Sequence, residues 1–158
     1  MDPTGDLRLL LASRHALIIA ATDDEERFMG ILGRAAALAG FPVWTWSITR
    51  GLAREGHDPQ MGTADPRKAL EFIGMLPDPG VFVLADARTA FVDPAVVRRI
   101  KEIALAARPG QTLLVTGTTN DVPPELEGLA LPWMLEPPSR QELEDLVRRT
   151  LDDLAASR

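Results

Sequence analysis

The chain has no cysteine, and only two of its 158 residues are histidine. Without cysteine it has no disulfide, no thiol nucleophile and no thiolate metal site. His15 and His57 stand alone, so a histidine metal cluster is excluded as well. Basic runs are missing: the densest pair is Arg98-Arg99, and the net charge is −6. Neither nucleic acid nor an anionic membrane is therefore an expected partner. No apolar run approaches the roughly 20 residues that span a bilayer. The opening "MDPTGDLRLLLASR" is acidic before it is apolar, so no secretory signal is expected and the expected location is cytoplasmic. One further absence is local. "ALIIAA" (Ala16 to Ala21) runs into "TDDEER" with neither the glycines nor the lysine that a phosphate loop needs at such a junction.

What remains is ordinary soluble globular composition, 46% hydrophobic and 25% charged. The length suits a single domain over residues 1–158 with a substantial core. A short helix is expected in "GDLRLLLAS" (5–13), and "ALIIAA" reads as a buried parallel strand. Thr22 with Glu25 three residues on forms a capping box that should start the next helix. Its inner face is Phe28, Ile31, Leu32, Ala35 and Ala39, and Gly40 closes it. "PVWTWSI" (42–48) is the second strand, with Trp44 and Trp46 read as core residues on opposite sides of the sheet. Residues 49–66, rich in glycine and charge, read as a long loop. Asp65 and Pro66 open a helix through "RKALEFIGML". "GVFVLAD" (80–86) is the third strand, and Asp93-Pro94 opens a helix with Val96, Ile100, Ile103, Ala104 and Ala107 inward. "QTLLVTG" (111–117) and "LALPWML" (129–135) complete five strands. Ser139, with Glu142 at the reciprocal position, caps a final amphipathic helix. The expected fold is α/β: a three-layer, doubly wound, mostly parallel five-stranded sheet with helices on both faces.

Ligands of such sheets bind at the carboxyl ends of the strands. Thr22 to Glu26, Ser47 to Gly51, Asp86 to Arg88, Thr116 to Asn120 and Glu136 gather there. Asp86 stands where a magnesium-holding aspartate would end the third strand, but Ala87 follows it, not the usual catalytic glutamate. "TGTTND" (116–121) offers Thr118 and Asn120 as polar contacts for a nucleotide. Four consecutive carboxylates suit a helix N-terminus and would repel a triphosphate there. The outline is thus AAA+/RecA-like without a phosphate loop. A receiver-type signalling site is the alternative: Asp23 and Asp24 would bind Mg²⁺ beside Asp86. Against it, Glu136 occupies the place of the lysine that neutralises an aspartyl phosphate. Helix capping accounts for Asp23 to Glu26, and turn satisfaction for Thr116, Thr118 and Asn120. Arg50 and Arg54, in the expected long loop, are candidates for contact with a partner.

"WSITRGL" (46–52), "ADPRKALEFI" (64–73), "GVFVLADARTAFVDPAVVRRIKEIA" and "VPPELEGLALPWMLEPPSRQEL", with the leading "LRLLLASRHALIIAATDDEERF", resemble the N-terminal region of an AAA+ ATPase family of bacteria, cyanobacteria and plastids. The resemblance runs from about Leu7 to Leu143. It implies a degenerate α/β domain placed ahead of a complete AAA+ module that carries its own phosphate loop. That module is not among these residues, and the chain is expected to be either a piece excised from such a protein or a stand-alone relative. ATP and Mg²⁺ would belong to the module, so no cofactor and no catalytic residue is expected in this chain. The implied role is non-catalytic, in assembly or in recognition of a protein partner. The partner would be a second copy, the AAA+ module or a client.

Overall fold

The computed structural model describes residues 2–158. All five α-helices of the described residues begin on an aspartate or serine cap, three of them (Asp65, Asp93 and Ser139) where the sequence predicts it. Asp2 caps α1 (Pro3–Ala12), Asp65 caps α3 (Pro66–Met75), Asp93 caps α4 (Pro94–Ala106) and Ser139 caps α5 (Arg140–Ala156). In each, the side-chain oxygen accepts an otherwise unpaired N–H of the first turn. Proline in the first turn of α1, α3 and α4 costs no hydrogen bond there. The helix α2 (Glu25–Ala39) starts two residues later than expected. Asp24 is its cap, accepting from the Arg27 N–H at 3.0 Å, and Gly40 closes it with φ +80°. Thr22 instead makes a tight local turn: its hydroxyl accepts from the Asp24 N–H (3.0 Å). At the end of α4, Ala107 lies outside the helix and is exposed, not inward. Its φ of +44° makes it a left-handed cap, a position glycine fills more cheaply.

The sheet has six strands, not five: β1 (Leu17–Ala21), β2 (Val43–Ser47), β3 (Gly51–Arg54), β4 (Gly80–Ala85), β5 (Gln111–Gly117) and β6 (Ala130–Met134). Their order is β3-β2-β4-β5-β1-β6, and only β3 runs antiparallel. The strand β3 was expected to be loop. It forms because Gly51, with φ +88°, turns the chain back on β2, and Leu52 and Ala53 are then buried. Four residues flanked by glycine and charge give too little alternation to signal a strand by themselves.

The order decides between the two outlines. In a receiver-type sheet the first strand lies between the second and third parallel strands. Here β1 lies between β5 and β6, so β5 separates the end of β1 from the end of β4. This sheet suits an AAA-like domain and not a receiver.

Helices cover both faces. On one, α1 and α2 pack Leu7, Phe28 and Leu32 over Ile18, Val83 and Leu114. On the other, α3 and α4 pack Leu70, Ile73 and Ile100 over Leu17, Phe82 and Leu113. Continuous apolar strands such as "LIIAA" follow from burial on both sides. Trp44 and Trp46 share one face, the α3/α4 side, contrary to the expectation of opposite sides. Side chains two residues apart in a strand point the same way. Helix α5 is the exception to this burial: none of its residues is buried.

Candidate functional site

Where β1 passes into α2, the chain supplies its own anion. The Thr22 N–H donates to the Gly117 carbonyl at 2.9 Å, extending the β1–β5 pairing by one step. The Asp24 carboxylate then occupies the first turn of α2, and Glu25 and Glu26 follow it. A helix N-terminus attracts anions through unpaired N–H groups and its positive dipole end. Here a covalently attached carboxylate already fills that role, and its acidic neighbours raise the cost of bringing in a phosphate.

Arg27, which was not singled out from the sequence, organises the other side of this junction. Its guanidinium donates to the Glu136 carbonyl at 2.8 Å and to the Glu142 carboxylate at 2.9 Å. It thereby ties α2 to the connection between β6 and α5. The Ser139 cap of α5 forms as expected, with its hydroxyl accepting from the Glu142 N–H. The Glu142 carboxylate, however, reaches Arg27 and completes an ion pair. A helix-start pattern suggests only a local partner for Glu142, and the long-range one depends on how the chain folds back.

At the end of β4, Asp86 is exposed and adopts a left-handed backbone (φ +54°), a conformation aspartate tolerates better than most residues. Its N–H donates to the Thr116 carbonyl at 2.9 Å, and its own carbonyl accepts from the Thr89 hydroxyl. Asp86 thus turns the strand into a short 3₁₀ segment (Ala87–Val92). Arg88 lies across the end of β5. Its stem is so close to Gly117 that a Cβ there would lie 3.2 Å from its Cδ, and its guanidinium donates to the Asp121 carbonyl. The guanidinium also lies 5.8 Å from the Phe91 ring centre, within cation–π range. The end of β5 is where a nucleotide would be sought, and the Arg88 side chain lies against Gly117 there.

Thr116 is buried, Thr118 is exposed, and the Asn120 amide donates to the Trp133 carbonyl in β6 at 3.4 Å. Asn120 therefore joins the loop after β5 to the edge strand. Asp23 and Asp24 lie at the end of β1 and Asp86 at the end of β4, with β5 between them. Among the described residues, no three His, Asp or Glu side chains are grouped so as to hold a metal ion.

The expected long loop is pinned to the sheet through Thr63. Its buried hydroxyl donates to the Gln60 carbonyl (2.6 Å) and accepts from the Leu52 N–H (2.8 Å). Its carbonyl accepts from the Trp46 indole at 2.7 Å. Trp46 is thereby buried in the core and does not line the cleft. A Cβ on Gly51 would lie only 2.9 Å from the Thr63 hydroxyl, so the turn needs glycine for space as well as for φ. Arg50 and Arg54, before and at the end of β3, are both exposed at the sheet edge. In the first turn of α3, Arg67 clasps Asp93, the cap of α4, with two bonds of 2.6 and 2.8 Å. That hydrogen-bonded guanidinium holds the Asp93 carboxyl below the usual carboxylate range and raises the pKa of Arg67.

Residues 4–132 match the family model of the SpoVK-like AAA ATPase N-terminal domain. The chain is 25% identical over 159 aligned residues to an uncharacterised AAA domain-containing protein, ycf46, of Trieres chinensis. That alignment covers 98% of the chain and 32% of the relative. The protein of the same name in Pyropia yezoensis is 29% identical over 107 residues, covering 66% of the chain and 22% of the relative. The chain thus spans a third or less of the length of these relatives. No helix among the described residues is long and apolar enough to cross a membrane.

Proposed function

The chain belongs to the family of SpoVK-like AAA ATPase N-terminal domains, and we propose that it acts without catalysis, as a surface for assembly or for protein recognition. The observation that carries this reading is the junction between β1 and α2. There the Asp24 carboxylate takes the place a phosphate would occupy, and Glu25 and Glu26 surround it with like charge. Arg88 lies against Gly117 at the end of the neighbouring strand β5. Nucleotide and Mg²⁺ would be handled by an AAA+ module of the kind the longer relatives are named for. Arg50 and Arg54, exposed on the edge hairpin, suit contact with that module or with a client.

Thermal unfolding tests the reading, with Mg²⁺ alone, Mg²⁺ plus ATP or ADP, and Mg²⁺ plus beryllofluoride. A ligand at 100 times its dissociation constant stabilises by about 2.7 kcal/mol, a plainly visible shift. No shift is expected with any of them. A nucleotide shift that grows when Asp23 and Asp24 become asparagine would establish a strand-end nucleotide site and overturn the proposal. A shift with beryllofluoride would do so in favour of a phosphoryl site at Asp86. Reversing the charge of Arg50 or Arg54 should weaken partner capture and leave the melting temperature unchanged.

A further inference from the structure

The two edges of the sheet, β3 and β6, are finished in different ways. At β3 the chain covers its own edge. The Leu52 N–H donates to the Thr63 hydroxyl (2.8 Å), and the Leu52 carbonyl accepts from the Gln60 N–H, also at 2.8 Å. Two residues on, the Arg54 carbonyl accepts from the His57 N–H at 2.9 Å. An incoming strand would have to displace residues 57–63 to reach these groups.

At β6 there is no such cover among the described residues. The Leu135 N–H donates to the Ala21 carbonyl at 3.0 Å, so Leu131, Trp133 and Leu135 turn their backbone groups towards β1. The N–H and C=O of a strand residue point to one side, and the side alternates along the strand. Ala130, Pro132 and Met134 therefore turn theirs outward, where none has a partner among the described residues. Pro132 is exposed, and Met134 is 60% exposed. The strand lies within "LALPWML" (129–135), seven residues without a charge, and the nearest carboxylates, Glu127 and Glu136, stand outside it. An open, apolar and uncharged edge is a template for pairing with another chain.

The one interruption in that run is Pro132, the middle of the three outward residues. It has no N–H, and its ring stands where the carbonyl of a partner strand would approach. The pairing with β1 is untouched, because the N–H that proline lacks is one that β1 never meets. We infer that Pro132 closes the β6 edge to strand addition, and with it the last open edge of the sheet. A second copy, an AAA+ module or a client then meets this domain through the side chains of its helices and loops, and not by extending the sheet. The inference goes beyond the proposed role and does not depend on it, since the edge is closed whether or not the strand ends bind a nucleotide.

Restoring the missing N–H tests it. Pro132→Thr does so with a polar side chain and adds no apolar surface, and Pro132→Val does so with an apolar one. Both are expected to fold, with melting temperatures in dilute solution equal to or above that of the unmodified chain, since β-branched residues suit a strand. Sedimentation equilibrium is expected to show both variants associating, with a constant raised roughly tenfold or more, the equivalent of one regained hydrogen bond. Amide exchange at Ala130 and Met134 should slow in the associated state, because those N–H groups then have partners. Adding Met134→Lys to Pro132→Thr puts a charge on the same edge and should return the monomer. Variants that stay as monomeric as the unmodified chain overturn the inference and assign the protection to Glu127 and Glu136. Association that leaves Ala130 and Met134 exchanging freely overturns it, as does an unmodified chain that pairs through β6 at the same concentrations. Unfolding of both variants would do so too, because proline would then be holding the strand and not closing its edge.

Discussion

The sheet with its four packed helices and the terminal helix α5 obey the same sequence rules and end in opposite situations. Helix α2 and helix α5 are both amphipathic, both begin on a side-chain cap, and both run four turns or more. In α2 the apolar residues Phe28, Leu32 and Ala35 are completely buried. In α5 every leucine remains about half exposed. Periodicity therefore tells which face of a helix will be covered and not what covers it. Within the body of the domain, the sheet is the cover. For α5 no such cover is present among the described residues, and its Leu143 and Leu146 only edge an open groove beside α1 and α2.

The largest expected effect contrasts the two helices directly. Replacing Phe28 by alanine removes a side chain with no solvent exposure that also meets the Trp133 ring at 6.0 Å. Urea unfolding should show a loss of about 3–5 kcal/mol. A loss below about 1 kcal/mol would mean that α2 is no better packed than α5.

Arg27 is the link between the two regions, and cutting it should separate their behaviour. Arg27→Ala leaves the Glu136 carbonyl and the Glu142 carboxylate without their donor. A charged hydrogen bond contributes about 1.5–3 kcal/mol, and the partial exposure of this one places it at the lower end. Hydrogen exchange is expected to quicken in α5 while the strands keep their protection. Uniform quickening would instead make α5 part of the same cooperative unit.

A smaller effect belongs to the clasp between α3 and α4. The Asp93 carboxyl is held below its ordinary pKa by Arg67, so the unfolded chain binds its proton more readily than the folded one. The stabilisation is thus fully present above the unfolded value of about 4 and fades as pH falls through the lower folded value. Asp93→Asn should flatten the acid side of the stability profile, read from urea midpoints between neutral and acid pH. An unchanged profile would assign the acid sensitivity to other carboxylates.

The smallest effect completes the contrast. Leu151→Ala or Leu154→Ala, measured in dilute monomer, should change stability by less than about 0.5 kcal/mol, since neither side chain is buried. A large loss would show that α5 is covered by its own domain in solution.

Much of the candidate site was legible residue by residue, because its chemistry is short-range. The carboxylates after β1, the missing glycines and lysine, and the glutamate at 136 are all visible in the chain. So are the cap positions Asp65, Asp93 and Ser139, whose partners lie two or three residues away. The cap of α2 was displaced from Thr22 to Asp24 because both residues can cap. The pairing of Thr22 with the Gly117 carbonyl keeps Thr22 at the end of the strand. Residues that act at a distance left no such mark. Arg27 and Thr63 are not singled out by the sequence, and Arg88 is placed by it at the strand ends with no partner named. Their partners lie 115, 11 and 33 positions away in sequence, at Glu142, Leu52 and Asp121.

The sequence by itself determined the helices, five of the six strands, the double burial of the parallel strands and the absence of a phosphate cradle. Propensity, hydrophobic period and residue chemistry act within a few positions and need no partner. Only the tertiary structure decided the strand order, which separates Asp86 from Asp23 and Asp24 and rules out a receiver-type sheet. It also decided the sixth strand, which exists because β2 offers an edge and Thr63 closes over the turn. The exposure of α5 was decided there too, since burial is a property of pairs of surfaces and one helix carries only half of the pair.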